Sequence, residues 1–216
     1  MNLRAYIDQF RIRAQDTAKP YLWPDDELAP WFSEAEAEAA VRARLIHDAD
    51  ELVFKAGDND PVDLPVGLFD IQYAELRAAD GTAYELKGAS RQELDRIRSG
   101  WRTRNERPEN YVHEDNTLVL SALPDQDYTM CIEFFRTPRK PMQDDDDEPE
   151  IAEVHHINLL DWVLFRAYSK PDADAFDPNR SADSMKSFSD YFGKRGTADL
   201  RRRQNANRPH RNTLQW

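Results

Sequence analysis

The chain holds one cysteine, Cys131, and seven glycines in 216 residues. A lone thiol excludes an internal disulfide and fits a reducing compartment such as bacterial cytoplasm. No P-loop, G-x-G-x-x-G or G-x-S-x-G sequence occurs, and so few glycines are poor material for loops that cradle phosphate. The start of the chain has no apolar leader, and no run approaches the roughly 18 apolar residues of a membrane span, so a soluble protein without a standard export signal is expected. Positive charge is also scarce. The 29 Lys and Arg face 41 Asp and Glu, giving a net charge of −12. That balance repels DNA on average and disfavours anionic membranes.

What is present points to a folded, partly solvated protein. The hydrophobic fraction of 40% is low and the charged fraction of 32% high for a globular domain, so some of the chain is expected as solvated loop or arm. Five Trp, eight Tyr and ten Phe nevertheless supply a core, which disordered chains lack.

Periodicity divides the chain. Leu3, Tyr6, Ile7, Phe10 and Ala14 fall at helical spacing, with Arg4, Asp8, Arg11 and Arg13 on other faces, predicting an amphipathic helix that ends near Ala18. A second helix carries Leu28, Trp31, Phe32, Ala35, Ala39 and Leu45; Pro30 requires either a start at Ala29-Pro30 or a kink. From Leu52 onward, short runs alternate with turn residues. A hairpin is expected across Asp80-Gly81, a capping box at Ser90-x-x-Glu93 opening a short helix that stops by Gly100, and strands at 111–113, 117–121 and 128–136. Residues 138–149, with the run Asp144–Asp147, read as a flexible charged linker. The segment from Ile151 to Tyr168 is apolar around much of its circumference and predicts a helix buried by its own fold or by neighbouring subunits. Ser181 is the expected cap of a last helix with Met185, Phe188, Tyr191 and Phe192 inward, closed by Gly193. The expected fold is α+β: a helical bundle built from N- and C-terminal helices, with an inserted small antiparallel β unit and an extended C-terminal arm. The expected divisions are 1–50, 51–140, 141–193 and the basic arm 194–216.

Candidate chemistry is thin. His155 and His156 follow an acidic run, but adjacent helical residues point about 100° apart, whereas helical metal pairs use i,i+3 or i,i+4 spacing. The aspartate run, and Asp172-Ala173-Asp174 with Asp177, lack the spacing and closing glutamate of an EF-hand loop. Cys131, inside an apolar strand, is expected buried and unreactive. No catalytic residue, cofactor or metal is expected. The informative charge feature is the arm, where Lys194, Arg195, Arg201, Arg202, Arg203, Arg208 and Arg211 face only Asp199 before Trp216. Clustered arginines suit DNA phosphates, which gives one function: a DNA-binding accessory protein acting through the arm. They also suit an acidic protein surface, with Trp216 as an apolar anchor, and this reading is favoured because aromatic interleaving for base stacking is absent until the last residue.

The pattern Glu150 to His156, then Leu159-Leu160-Asp161-Trp162-Val163-Leu164-Phe165-Arg166-Ala167-Tyr168, then Pro171-Asp172-Ala173-Asp174 and Phe192-Gly193, resembles tailed-bacteriophage head–tail adaptor (connector, neck) proteins. Tyr21-Leu22-Trp23, Glu34-Ala35, Trp101-Arg102, Pro108, Tyr111 and Pro124-Asp125 agree; Pro30 and Ala152 depart from the pattern. The resemblance implies a non-enzymatic virion protein forming a ring, typically of twelve copies, beneath the portal protein at the capsid vertex. Such a ring extends the channel for double-stranded DNA, without sequence-specific contact, and meets a stopper or tail nozzle protein below; no membrane is involved. It would assemble in the host cytoplasm. The same resemblance assigns Arg201, Arg202, Arg203, Arg208, Arg211 and Trp216 to portal docking. It places Ile157, Leu160, Trp162, Leu164, Phe165 and Tyr168 on the helix that builds the bundle or the subunit contact.

Overall fold

The computed structural model describes residues 1–171 and 175–196. In chain order its helices are α1 (Leu3–Ala14), α2 (Asp25–Ala43), α3 (Arg91–Ile97), α4 (Leu159–Ser169) and α5 (Pro178–Phe192). Its strands are β1 (His47–Phe54), β2 (Val62–Asp63), β3 (Leu68–Ala78), β4 (Ala83–Glu85), β5 (Lys87–Gly88), β6 (Asn110–Glu114), β7 (Thr117–Leu120) and β8 (Tyr128–Arg136). Among the described residues, five α-helices and two four-stranded sheets make the class α+β. The chain separates into two compact units, one from Met1–Ile46 with Arg136–Arg195, the other containing His47–Phe135.

In the helical unit, α1, α2 and α5 all pack against α4 or one another around Tyr6, Phe10, Phe32, Leu160, Val163 and Phe188. The apolar positions of α1 read from the sequence are all buried, and so is Arg11, which the spacing had placed outside. The helix stops at Ala14, four residues before the expected end, because Gln15 takes a left-handed conformation (φ 61°) and its N–H closes on the carbonyls of Arg11 and Ile12. α2 runs unbroken through Pro30 from Asp25, with Asp25, Asp26 and Glu27 against the positive end of the helix. A proline in that sixth position gives up only the bond to the Asp26 carbonyl, and its ring is exposed.

Two helical expectations need correction. Between Ile151 and Tyr168 the chain first forms a 3-10 segment, Glu153–Asn158, and becomes α-helical only at Leu159. The cap of α5 is Asp177, whose carboxylate accepts the N–H groups of Asn179 and Arg180 ahead of Pro178 at the first position. Ser181 lies one turn inside, its hydroxyl 2.7 Å from that of Ser169 on α4. Phe188 and Phe192 are buried as expected, but Tyr191 is 46% exposed.

The second unit is layered. Sheet A, in the order β1-β8-β3-β4, packs its inner face on sheet B, in the order β2-β7-β6-β5. Leu52, Leu76, Met130, Ile132 and Phe134 from the first sheet meet Tyr111, Leu118 and Leu120 from the second. Alternation puts Val112 and Val119 on the opposite face of sheet B, where Leu94 of α3 and Trp101 cover them. Sheet B is not purely antiparallel, since β5 and β6 run parallel. The hairpin of β3 and β4 turns at Asp80-Gly81 with Gly81 at φ 86°, and Ser90 caps α3 through the Glu93 N–H, both as the sequence predicts.

Candidate interaction surfaces

Within the helical unit, Leu160, Trp162, Leu164 and Tyr168 of α4 are all less than 10% exposed, covered by their own unit. Trp162 meets Phe188 with ring centroids 5.1 Å apart, and the Arg42 guanidinium lies 5.2 Å from the Trp162 ring while Glu38 holds its Nε at 3.0 Å. Phe165 is partly buried against this core. Ile157 belongs to the 3-10 segment and is 38% exposed; with Val154 at 70% and Tyr191 it leaves apolar surface beside α5. A shallow cleft of about 640 Å³ runs along α4 and α5 between Phe165, Phe176, Met185 and Lys194.

The acidic linker is a fixed strap, contrary to the flexible loop its charge suggests. The open N–H groups of Leu3 and Arg4 at the start of α1 donate to the carbonyls of Asp147 (2.8 Å) and Asp145 (3.0 Å). The Asp147 carboxylate accepts the N–H groups of Gln143 and Asp144, which holds it below the usual carboxylate range. Ser33 accepts the Met142 N–H, and Glu36 accepts those of Glu150 (2.6 Å) and Ile151. Like charges are tolerated because the bonds that fix the segment run through its backbone N–H and carbonyl groups while most of its carboxylates stay in water. Burial drives the Glu36 carboxyl up to about 7 against the opposing pull of its two N–H donors. No sequence motif marks Glu36; it sits at an apolar helix position, which is the only signal that could have found it.

His155 and His156 face different partners. His156 Nε2 lies 3.0 Å from the Ile151 carbonyl and so carries the proton, while Nδ1 faces the Met1 amine. His155 meets the Tyr191 ring edge-on, with centroids 5.9 Å apart, and lies tilted against Phe192 at 6.1 Å. Among the described residues, no group of three or more His, Cys, Asp and Glu is placed to hold a metal ion. No helix of the described residues is long and apolar enough to cross a membrane.

In the β-rich unit, Cys131 is not buried in the core as the strand pattern implied. It points to the outer face of sheet A, half-buried, 3.7 Å from a Glu51 oxygen. Partial burial pushes the thiol up, and Arg77 opposes. Around it on that face stand Glu51, Glu75, Glu85 and Glu133, with Arg77 bonded to Glu75 at 2.7 Å. On the far side of the unit, α3 and the 3-10 turn Trp101–Thr103 carry arginines. Arg102 pairs with Asp95 at 2.5 Å and Arg98 with Glu109 at 2.9 Å. The docking residues expected on the arm, Arg201, Arg202, Arg203, Arg208, Arg211 and Trp216, lie outside the described residues, as do Asp172, Ala173 and Asp174.

The profile of a family described as SU10 adaptor protein matches residues 1–212. Among solved structures, a chain in a structure titled "Neck of empty GTA particle computed with C6 symmetry" is similar at 15% identity, covering 92% of each chain, with a TM-score of 0.31. No curated protein matches the sequence.

Proposed function

The chain belongs to the SU10 adaptor protein family, and on that premise we propose that it is a structural virion protein forming a ring between the portal protein and the stopper or tail nozzle. The carrying observation is a family match over residues 1–212, which takes in both units and most of the arm. In this reading, twelve copies close by rotation through heterologous contacts, in which one patch of a copy meets a different patch of the next. The ring prolongs the DNA channel, and a body of net charge −12 keeps the duplex from adhering to its wall. The divisions 1–50, 51–140, 141–193 and 194–216 then correspond to the two halves of a helical bundle, an inserted β-rich part and a basic arm. Arg201, Arg202, Arg203, Arg208, Arg211 and Trp216 dock on the portal. Ile157 and Phe165 are the helix positions left with surface for a neighbour, while Leu160, Trp162, Leu164 and Tyr168 hold the bundle.

The reading requires neither a cofactor nor catalysis. Cryo-microscopy of purified particles tests it. The expected result is a ring of this chain at the portal vertex, and absence of the chain from purified particles would sink the proposal.

A further inference from the structure

Residues 47–135 contain nineteen Asp and Glu against nine Lys and Arg, so this stretch carries a net charge of −10. The charges are unevenly distributed along the sequence. Residues 87–107 hold seven of the nine cations and three of the carboxylates, which leaves Lys55 and Arg77 among sixteen carboxylates elsewhere. The fold sets four of these carboxylates, Glu51, Glu75, Glu85 and Glu133, on the outer face of sheet A with Arg77, while on the α3 side Arg91 and Arg98 pair with Glu114 and Glu109. Sheet A has its outer face open, sheet B lies beneath it, and α3 with the Trp101–Thr103 turn covers the far side of sheet B.

Each outer face has the composition of a contact and lacks a cover among the described residues. On sheet A, Glu75 and Glu85 stand directly opposite across β3 and β4, a like-charge pair that weakens an isolated sheet. Glu51 and Glu133 flank them on β1 and β8, beside Val53 at 59% exposure. On the α3 side, Ile97 is 62% exposed, and Arg96 beside it in sequence and Arg104, directly after the Trp101–Thr103 turn, have no ion-pair partner among the described residues, unlike Arg91, Arg98 and Arg102. An exposed branched apolar residue beside uncommitted guanidinium groups is the make-up of an interface centre with a charged rim.

We infer that the outer face of sheet A in one copy receives the α3 side of the next copy, with Arg96, Ile97 and Arg104. The inference rests on the ring reading and names the contact that would close the ring. Two complementary faces on opposite sides of one layered unit make a head-to-tail contact, which a symmetric dimer cannot satisfy and a ring can. The carboxylate excess explains why the occupant is basic, and the unit's net charge of −10 argues against duplex DNA on the α3 side.

The test uses charge reversal in the full-length chain. One variant carries Glu51→Lys and Glu133→Lys, the other Arg96→Glu and Arg104→Glu. All four side chains are exposed, and unfolding curves check that both variants fold. Sedimentation at high protein concentration and low salt should show salt-sensitive association of the parent. Each variant alone should associate ~10-fold or more weakly. A one-to-one mixture should recover association, because every junction in an alternating chain then pairs opposite charges; the quadruple variant should recover it too. The inference is overturned if the parent does not associate, if either variant associates like the parent, or if the mixture stays dissociated. It is equally overturned if the α3 side binds duplex DNA and loses that binding on reversal. If both variants enter particle rings unchanged, this contact is wrong and the ring reading survives; if the unaltered chain is absent from particles, the ring reading itself fails.

Discussion

Arg11 donates to the Asp16 carboxylate at 2.9 Å with both side chains less than 10% exposed, so a charge pair sits inside the helical unit. The same guanidinium donates to the Trp23 carbonyl at 3.1 Å, pairs with Asp25 and lies 3.5 Å from the centre of the Tyr21 ring. Asp16 in turn accepts the N–H groups of Leu22 and Trp23. One pair therefore ties the end of α1 to the start of α2 and sets Trp23 against Phe10, with ring centroids 5.5 Å apart. Replacing one partner strands the other without water. Arg11→Met is expected to destabilise by about 3–5 kcal/mol. Asp16→Asn keeps acceptor capacity and should cost less. Urea unfolding of both variants and of their combination measures the coupling, which should exceed about 1 kcal/mol; simple additivity would remove the pair from this role.

Glu36 predicts a pH dependence. Its folded pKa of about 7 lies above the ordinary 4.5, so between those values the folded state binds the proton more tightly than the unfolded chain does. Its contribution is fully present below about 4.5 and is lost as pH rises through about 7. Glu36→Gln keeps an oxygen for the Glu150 and Ile151 N–H groups and should flatten this decline, matching or exceeding the parent at pH 8. Glu36→Ala leaves two N–H groups unpartnered and should cost about 2–4 kcal/mol at pH 6. Unfolding free energies measured from pH 5 to pH 8 decide it; a parent curve unaffected by Glu36→Gln would contradict the assignment.

The same two sites show what the sequence could and could not reveal. The apolar stripes of α1 and α5 and the Ser90 cap were legible because helix periodicity and capping are local. Arg11 and Glu36 were not, since a charged residue on a helix reads as solvent-facing unless its partners are known, and those partners lie up to 115 residues away in the chain. Strand β1 escaped for a related reason. Of its eight residues only Leu52 and Phe54 are buried, and the rest are held by an eight-residue antiparallel ladder to β8. The acidic strap misled in the opposite direction. Its charge run says solvated, and its side chains mostly are, while its backbone is fixed by donors from α1 and acceptors on α2 that composition does not encode. Of the candidate surfaces, the two charged faces became visible only when layering placed residues 87–107 opposite sheet A.

The strap gives a prediction that involves no global loss of stability. Asp147→Ala removes the acceptor for the Gln143 and Asp144 N–H groups while leaving the Leu3 bond, which goes to the Asp147 carbonyl. Amide exchange at Gln143 and Asp144 should quicken ~10-fold or more, with the midpoint of thermal unfolding nearly unchanged. Unaltered protection at both amides would show that the carboxylate does not organise the turn.

Removing residues 197–216 separates the two functions the arginines could serve. The deletion takes away five arginines and Asp199, shifting net charge from −12 to −16, since +5 and −1 leave together. If the arm docks on the portal, the shortened chain should unfold at the parent's midpoint yet fail to join portal-bearing capsids, and the full chain should not bind duplex DNA even at low salt. A DNA-binding arm gives a different pattern: full-chain affinity falling steeply with salt, abolished by the deletion, with capsid incorporation intact. Lys194 and Arg195 remain in the shortened chain, and Arg195 is held 2.8 Å from Glu38, so a residual basic patch cannot supply the lost contact. Charge-neutral replacement of Arg201, Arg202 and Arg203 with Trp216 kept then tests whether the guanidinium groups or the aromatic anchor carries docking. Because buried aromatic anchors dominate most protein interfaces, Trp216→Ala is expected to cost more than any single arginine.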